Sequence, residues 1–106
     1  MPSSITKSVL TRRAILRQIE ASEPTLRQYQ VKRIGLFGSF AENRQRSGSD
    51  IDLVVEFSKP TFDNFMGLSD YLERLFKRKV DLMTPESLSS YLKPSIEKQT
   101  LWHEVR

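Results

Sequence analysis

The sequence predicts one small domain of the α/β or α+β class, built on a single β-sheet. Two observations carry this. Two strand-length apolar runs, residues 31–37 and 51–57, bracket a polar stretch. Beyond them Phe65, Leu68, Leu72, Leu75 and Phe76 recur at helical spacing. The length of 106 residues suits one domain spanning 1–106, and an apolar share of 38% suits one modest core.

The elements follow in order. Residues 7–20 read as a helix, with Ala14, Ile15, Leu16 and Ile19 on one side and Arg12, Arg13 and Arg17 in water. A break from Ser22 to Pro24 leads to a short helical stretch near Thr25 to Tyr29. Residues 31–37 form a buried strand ended by Gly38 and Ser39, and the polar run 41–49, holding Gly48, is at least partly loop. Residues 51–57, rich in Val, Ile and Leu, give the clearest strand. Pro60 turns the chain into an amphipathic helix of about four turns. A short strand at 79–83 and a loop with one helical turn at 85–91 come next. The tail from Pro94 to Arg106 is expected to be helical at first, with Leu101 and Trp102 apolar.

Composition excludes several classes. Without cysteine there is no disulfide, thiol nucleophile or thiolate metal site. One histidine, His103, is too few for a zinc site and is expected at the surface. No apolar run reaches membrane-spanning length and the start lacks a signal-peptide pattern, so a cytoplasmic protein is expected. The net charge of +4 is spread over Arg12, Arg13, Arg17, Arg44, Arg46, Lys77, Arg78 and Lys79 without interleaved aromatics. Direct nucleic-acid binding is therefore not expected. Neither the Walker loop nor the dinucleotide fingerprint is present, and Asp52 lacks the loop glycine of an EF-hand.

Three pieces carry chemistry. Asp50 and Asp52 flank Ile51 at the start of a strand, so their side chains share one face. Two close carboxylates repel unless a cation lies between them, and hard cations such as Mg²⁺ take oxygen ligands. Asp81, within another strand, is a residue type that central strands disfavour. It would complete a site for two ions about 3.5–4 Å apart. Gly38 and Ser39 follow a buried strand, where a side-chain-free residue lets backbone N–H groups and a hydroxyl approach phosphate. Taken alone, each has a plain structural explanation as a turn or a cap; their combination in one small sheet points to function.

Gly38-Ser39, ten residues, then Asp50-Ile51-Asp52 resembles the Gly-Ser-x10-Asp-x-Asp signature of the DNA polymerase β-like nucleotidyltransferase superfamily. The flanks GLFGSFA, SDIDLVVEF and KVDLMTPESL resemble its minimal nucleotidyltransferase, MntA-like antitoxin branch over residues 12–100. The resemblance implies a mixed β-sheet with helices packed against it. It implies Mg²⁺ held by Asp50, Asp52 and Asp81, which are also the catalytic residues, and ATP held at Gly38 and Ser39. It further implies transfer of AMP to a tyrosine of a HEPN-domain ribonuclease toxin, this chain being the antitoxin.

The family pattern Gly-Ser-x-Ala-Arg-Gly-Glu is broken by Glu42-Asn43, so Arg44 or Arg46 is expected to supply the phosphate-binding guanidinium. Two other functions fit the same fold. One is an antitoxin that blocks its partner by binding alone. The other is a nucleotidyltransferase for a small, aminoglycoside-like hydroxyl compound, which would need a partner helical domain.

Overall fold

A computed structural model describes residues 10–46, 48–91 and 93–106. The chain runs α1 (Arg12–Ala21), α2 (Glu23–Gln28), β1 (Val31–Phe37), α3 (Gly38–Ala41), β2 (Ile51–Phe57), α4 (Phe62–Phe76) and β3 (Val80–Met83). A 3₁₀ turn (Pro85–Ser87), α5 (Lys93–Gln99) and β4 (Leu101–Glu104) complete it. The four strands form one mixed sheet in the order β3-β2-β1-β4. β1 pairs antiparallel with β2 and with β4, while β2 and β3 run parallel.

Alternation along the strands gives the sheet two unlike faces. Ile34 and Leu36 of β1, Ile51, Leu53 and Val55 of β2, and Val80 of β3 meet Ile15, Ile19, Leu26, Leu68, Leu72 and Phe76 of the helices in one core. Fully burying such an aliphatic side chain stabilises the fold by about 1.5–3 kcal/mol, so this face carries most of the stability. Local signals set the helix starts: the Thr11 hydroxyl accepts from the Ala14 N–H and the Thr61 hydroxyl from the Asn64 N–H, each at 3.1 Å. α4 stops at Lys77, whose φ of 53° lies in the left-handed region.

The opposite face carries Phe37, Asp52, Val54, Asp81 and Trp102. Val54 and Phe37 are buried there, outside the helix-side core.

Both long strands lie where the sequence puts them. Two elements differ. The first helix begins at Arg12, and residues 7–9 of the predicted span lie outside the described residues. The tail is helical at first, as the sequence predicts, but after α5 it forms β4, a strand the sequence reading did not place, with Leu101 opposite Leu36 and Trp102 opposite Gly35. His103, expected at the surface, is half-buried, its Nε2 2.7 Å from Glu23 Oε1.

Candidate functional site

β2 begins one residue after Asp50, so the two aspartates of the motif straddle the strand end. Parallel pairing sets Asp52 directly beside Asp81, and antiparallel pairing sets it opposite Phe37, the residue before Gly38. Three segments distant in sequence thus meet at one rim of the sheet. Gly38 has φ of 77°, and a methyl group on it would run into Asp52 Oδ2. Only glycine meets both demands at that position.

Burial pushes the Asp52 carboxyl up to about 6, and the charges of Asp81 and then Asp50 add to the rise. A hydrogen bond shared with the Asp81 side chain acts in the same direction. Asp52 and Asp81 therefore form a coupled pair, while Asp50 acts on it through its charge. Among the described residues no three acidic or histidine side chains are gathered closely enough to hold a metal ion outright. The expected convergence is met by two of the three carboxylates.

The phosphate-binding residues of the sequence reading lie directly alongside. Gly38 and Ser39 open α3, whose first N–H groups have no acceptor within the helix. The loop after α3 folds back so that the Arg44 N–H donates to the Ser39 carbonyl at 2.8 Å. The Arg44 guanidinium, expected to face phosphate, instead donates to Glu42 Oε1 from Nε at 2.9 Å and Nη2 at 2.6 Å. The left-handed turn at Asn43, with φ of 60°, brings those two residues together. An exposed ion pair of this kind contributes about 0–1 kcal/mol, so a phosphate can displace the Glu42 carboxylate.

Two arginines that the sequence did not single out support the rim. Arg78 donates from Nη1 to the Ser49 carbonyl at 3.1 Å and lies over the Phe40 ring, 5.5 Å from its centroid. It joins the residue before Asp50 to the residue after Ser39. Arg12 donates from Nη1 to the Ala41 carbonyl at 2.9 Å, closing the C-terminal end of α3. Both contacts span 29 residues, and no local spacing in the sequence signals them.

Residues 19–103 match the nucleotidyltransferase domain family. A protein of Methanocaldococcus jannaschii, provisionally named a protein adenylyltransferase, is 43% identical over 79 residues, covering 71% of this chain and 79% of its own length. The protein adenylyltransferase MntA of Thermococcus cleftensis is 31% identical over 97 residues, covering 90% of this chain and 98% of its own. Among solved structures, a provisionally named minimal nucleotidyltransferase superposes with a TM-score of 0.77 at 25% identity, covering 89% of this chain and 97% of that one. A toxin–antitoxin crystal structure with AMP-PNP superposes with a TM-score of 0.64 at 25% identity, covering 88% of this chain and 72% of that one.

Proposed function

The chain belongs to the nucleotidyltransferase family, and from that premise we propose that it transfers AMP from ATP to a hydroxyl group carried by a second protein. The observation that carries this reading is the meeting of Gly38, Asp52 and Asp81 at one sheet rim. Relatives named protein adenylyltransferases support the reaction class, and the neighbour solved with AMP-PNP supports an adenine nucleotide as donor. The acceptor is a tyrosine of a HEPN-domain ribonuclease toxin, and this chain is its antitoxin. Toxin–antitoxin complexes among the structural neighbours support that pairing. Among the described residues no helix is long and apolar enough to cross a membrane, and we place the pair in the cytoplasm. Residues 1–106 act as one minimal domain, with the acceptor surface supplied by the partner.

The donor set fits a hard divalent cation. It is oxygen-only, and the mutual repulsion that raises Asp52 is what a positive charge would relieve. Asp50, Asp52 and Asp81 would hold Mg²⁺, which when bound neutralises triphosphate charge and makes the acceptor hydroxyl more acidic. The chain's own residues do the rest. Gly38 admits the triphosphate close to the backbone, and the Ser39 hydroxyl with the first N–H groups of α3 donates to phosphate oxygens. Arg44 exchanges Glu42 for a phosphate oxygen. The acceptor oxygen forms a bond to the α-phosphorus, the bond from that phosphorus to pyrophosphate breaks, and Asp81 receives the hydroxyl proton.

Intact-mass analysis of a co-expressed HEPN-domain partner tests this reading. The expected result is whole adenylyl additions with the wild-type chain and none with Asp50→Asn/Asp52→Asn. Full neutralisation of the toxin by the folded double variant, with an unmodified partner, would refute catalysis and leave occlusion as the mechanism.

A further inference from the structure

Away from the aspartates, α1 and β4 enclose a groove of about 660 Å³. Arg12, Arg13 and Arg17 line it from the helix, Leu101 and Trp102 from the strand, and Glu20 is the one carboxylate among its lining residues. Arg13 and Arg17 are exposed and form no ion pair among the described residues. The His103 ring, which also lines the groove, is held by Glu23. The groove thus presents unbalanced positive charge beside an exposed leucine, while the Trp102 indole lies across the strand on the other face, with the Arg33 guanidinium 3.7 Å from its ring.

The strand that borders it is an edge. β4 closes the sheet on the side away from β3, and no further strand among the described residues pairs with it. The Val105 N–H bonds inward to the Lys32 carbonyl. By the alternation of an antiparallel ladder, the backbone groups of Trp102 and Glu104 then point outward, free to pair with an added strand.

Charge decides what fits. A second copy would bring the same three arginines against these. Residues 1–9, MPSSITKSV, contain no Asp or Glu, so the start of the chain does not supply the complement. We propose that this face docks an extended acidic segment of a protein partner. The segment adds as a strand to β4, with carboxylates on the α1 side against Arg13 and Arg17 and the alternate, apolar residues on the other side against Trp102. The unpaired backbone edge and exposed Leu101 favour a peptide over a nucleic acid, which would use neither. Arg12 links this face to α3 through the Ala41 carbonyl, so a docked segment lies next to the candidate site. That the segment belongs to the acceptor protein rests on the function proposed above; the docking itself does not.

Trp102 is the only tryptophan of the chain and, from the other face of β4, reports by its own fluorescence on a strand added to that edge. The full chain, in EDTA and without nucleotide, is titrated with a blocked peptide of alternating glutamate and valine. Parallel titrations use its lysine–valine counterpart and a single-stranded RNA oligonucleotide. We expect saturable binding of the glutamate peptide only, weakened by salt and reduced about tenfold or more by Arg13→Glu/Arg17→Glu. Arg17→Gln should give a smaller loss in the same direction, so the test survives if the double reversal does not fold. Equal binding of the lysine peptide, indifference to both variants, or tighter binding of the RNA would overturn the proposal. Asp52→Asn should leave peptide binding unchanged, which separates failure of the docking surface from failure of nucleotide transfer.

Discussion

Asp52→Asn should make the ligand-free protein more stable, by an amount that depends on pH. In the fold its carboxyl is pushed up to about 6 from an ordinary 3.8. Each pKa unit corresponds to about 1.4 kcal/mol. Because this side chain is partly open to solvent, screening reduces the full figure of about 3 kcal/mol to roughly 1–2 kcal/mol. The sign follows from proton binding. Between 3.8 and about 6 the folded state holds a proton that the unfolded state has lost, so stability falls as pH rises through that window. Above it the whole penalty applies; below about 4 it vanishes.

Asparagine keeps the volume, removes the charge and can donate to the Asp81 carboxylate. The assay is thermal unfolding of both proteins from pH 4 to pH 8 in EDTA. At pH 8 the variant should melt roughly 5–10 °C higher, on the scale of 4–8 °C per kcal/mol for small domains, and the gap should close toward pH 4. Glu23 and Glu56 have lowered values, through the Arg106 N–H and His103 for one and Arg33 for the other. Their contribution is present above the ordinary carboxylate value and is lost on acidification, equally in both proteins. The difference between the two curves therefore isolates Asp52. Equal melting at pH 8, or a gap that does not change with pH, would refute the coupled-carboxylate account.

Three further outcomes are expected. MgATP should raise the wild-type melting temperature more than Mg²⁺ or ATP alone, and the gain should be absent in Asp50→Asn/Asp52→Asn; scanning fluorimetry at several nucleotide concentrations checks this. Gly38→Ala should destabilise by about 1–2 kcal/mol for its left-handed φ and abolish the MgATP shift through collision with Asp52, read by denaturant melts and the same fluorimetry. In Gly35→Ala the new methyl would meet Thr100 and the Trp102 ring, costing about 1–3 kcal/mol of overpacking and changing Trp102 emission; unchanged emission would mean that β4 does not pack as described.

How much of this was legible in the sequence depends on how local each signal is. The strands 31–37 and 51–57 declare themselves by apolar runs bounded by turn residues, and α4 by its period. The shared face of Asp50 and Asp52 follows from alternation alone. That Asp81 would stand directly beside Asp52 does not, because it needs the parallel register of β2 and β3. β4 was hidden for a similar reason. Leu-Trp-His-Glu is too short to announce a strand, and its conformation comes from pairing with β1, some seventy residues earlier. One signal was present: Gly35, in mid-strand, marks a close approach, and the approaching groups are Thr100 and Trp102. Arg44 shows what charge alone leaves out: its pairing with Glu42 depends on the left-handed turn at Asn43, which the sequence does not announce.

The two faces of the sheet also explain why such a site is tolerable in a chain of this size. A small domain has about 5–15 kcal/mol of net stability, so a penalty of roughly 1–2 kcal/mol at Asp52 is a sizeable share. The left-handed φ that only glycine adopts freely at Gly38 and the neighbouring carboxylates of Asp50, Asp52 and Asp81 fall on the same rim, opposite the helix-side core. None of them strengthens the ligand-free fold, and an asparagine pair would pack there without repulsion. Such an arrangement becomes favourable only when positive charge enters between the carboxylates and an anionic group meets the backbone beside Gly38. Metal and triphosphate together satisfy both conditions, whereas either alone leaves one of them unmet. For that reason the combined MgATP shift, rather than the shift with either component, distinguishes a working nucleotide site from a carboxylate pair that happens to lie next to a turn.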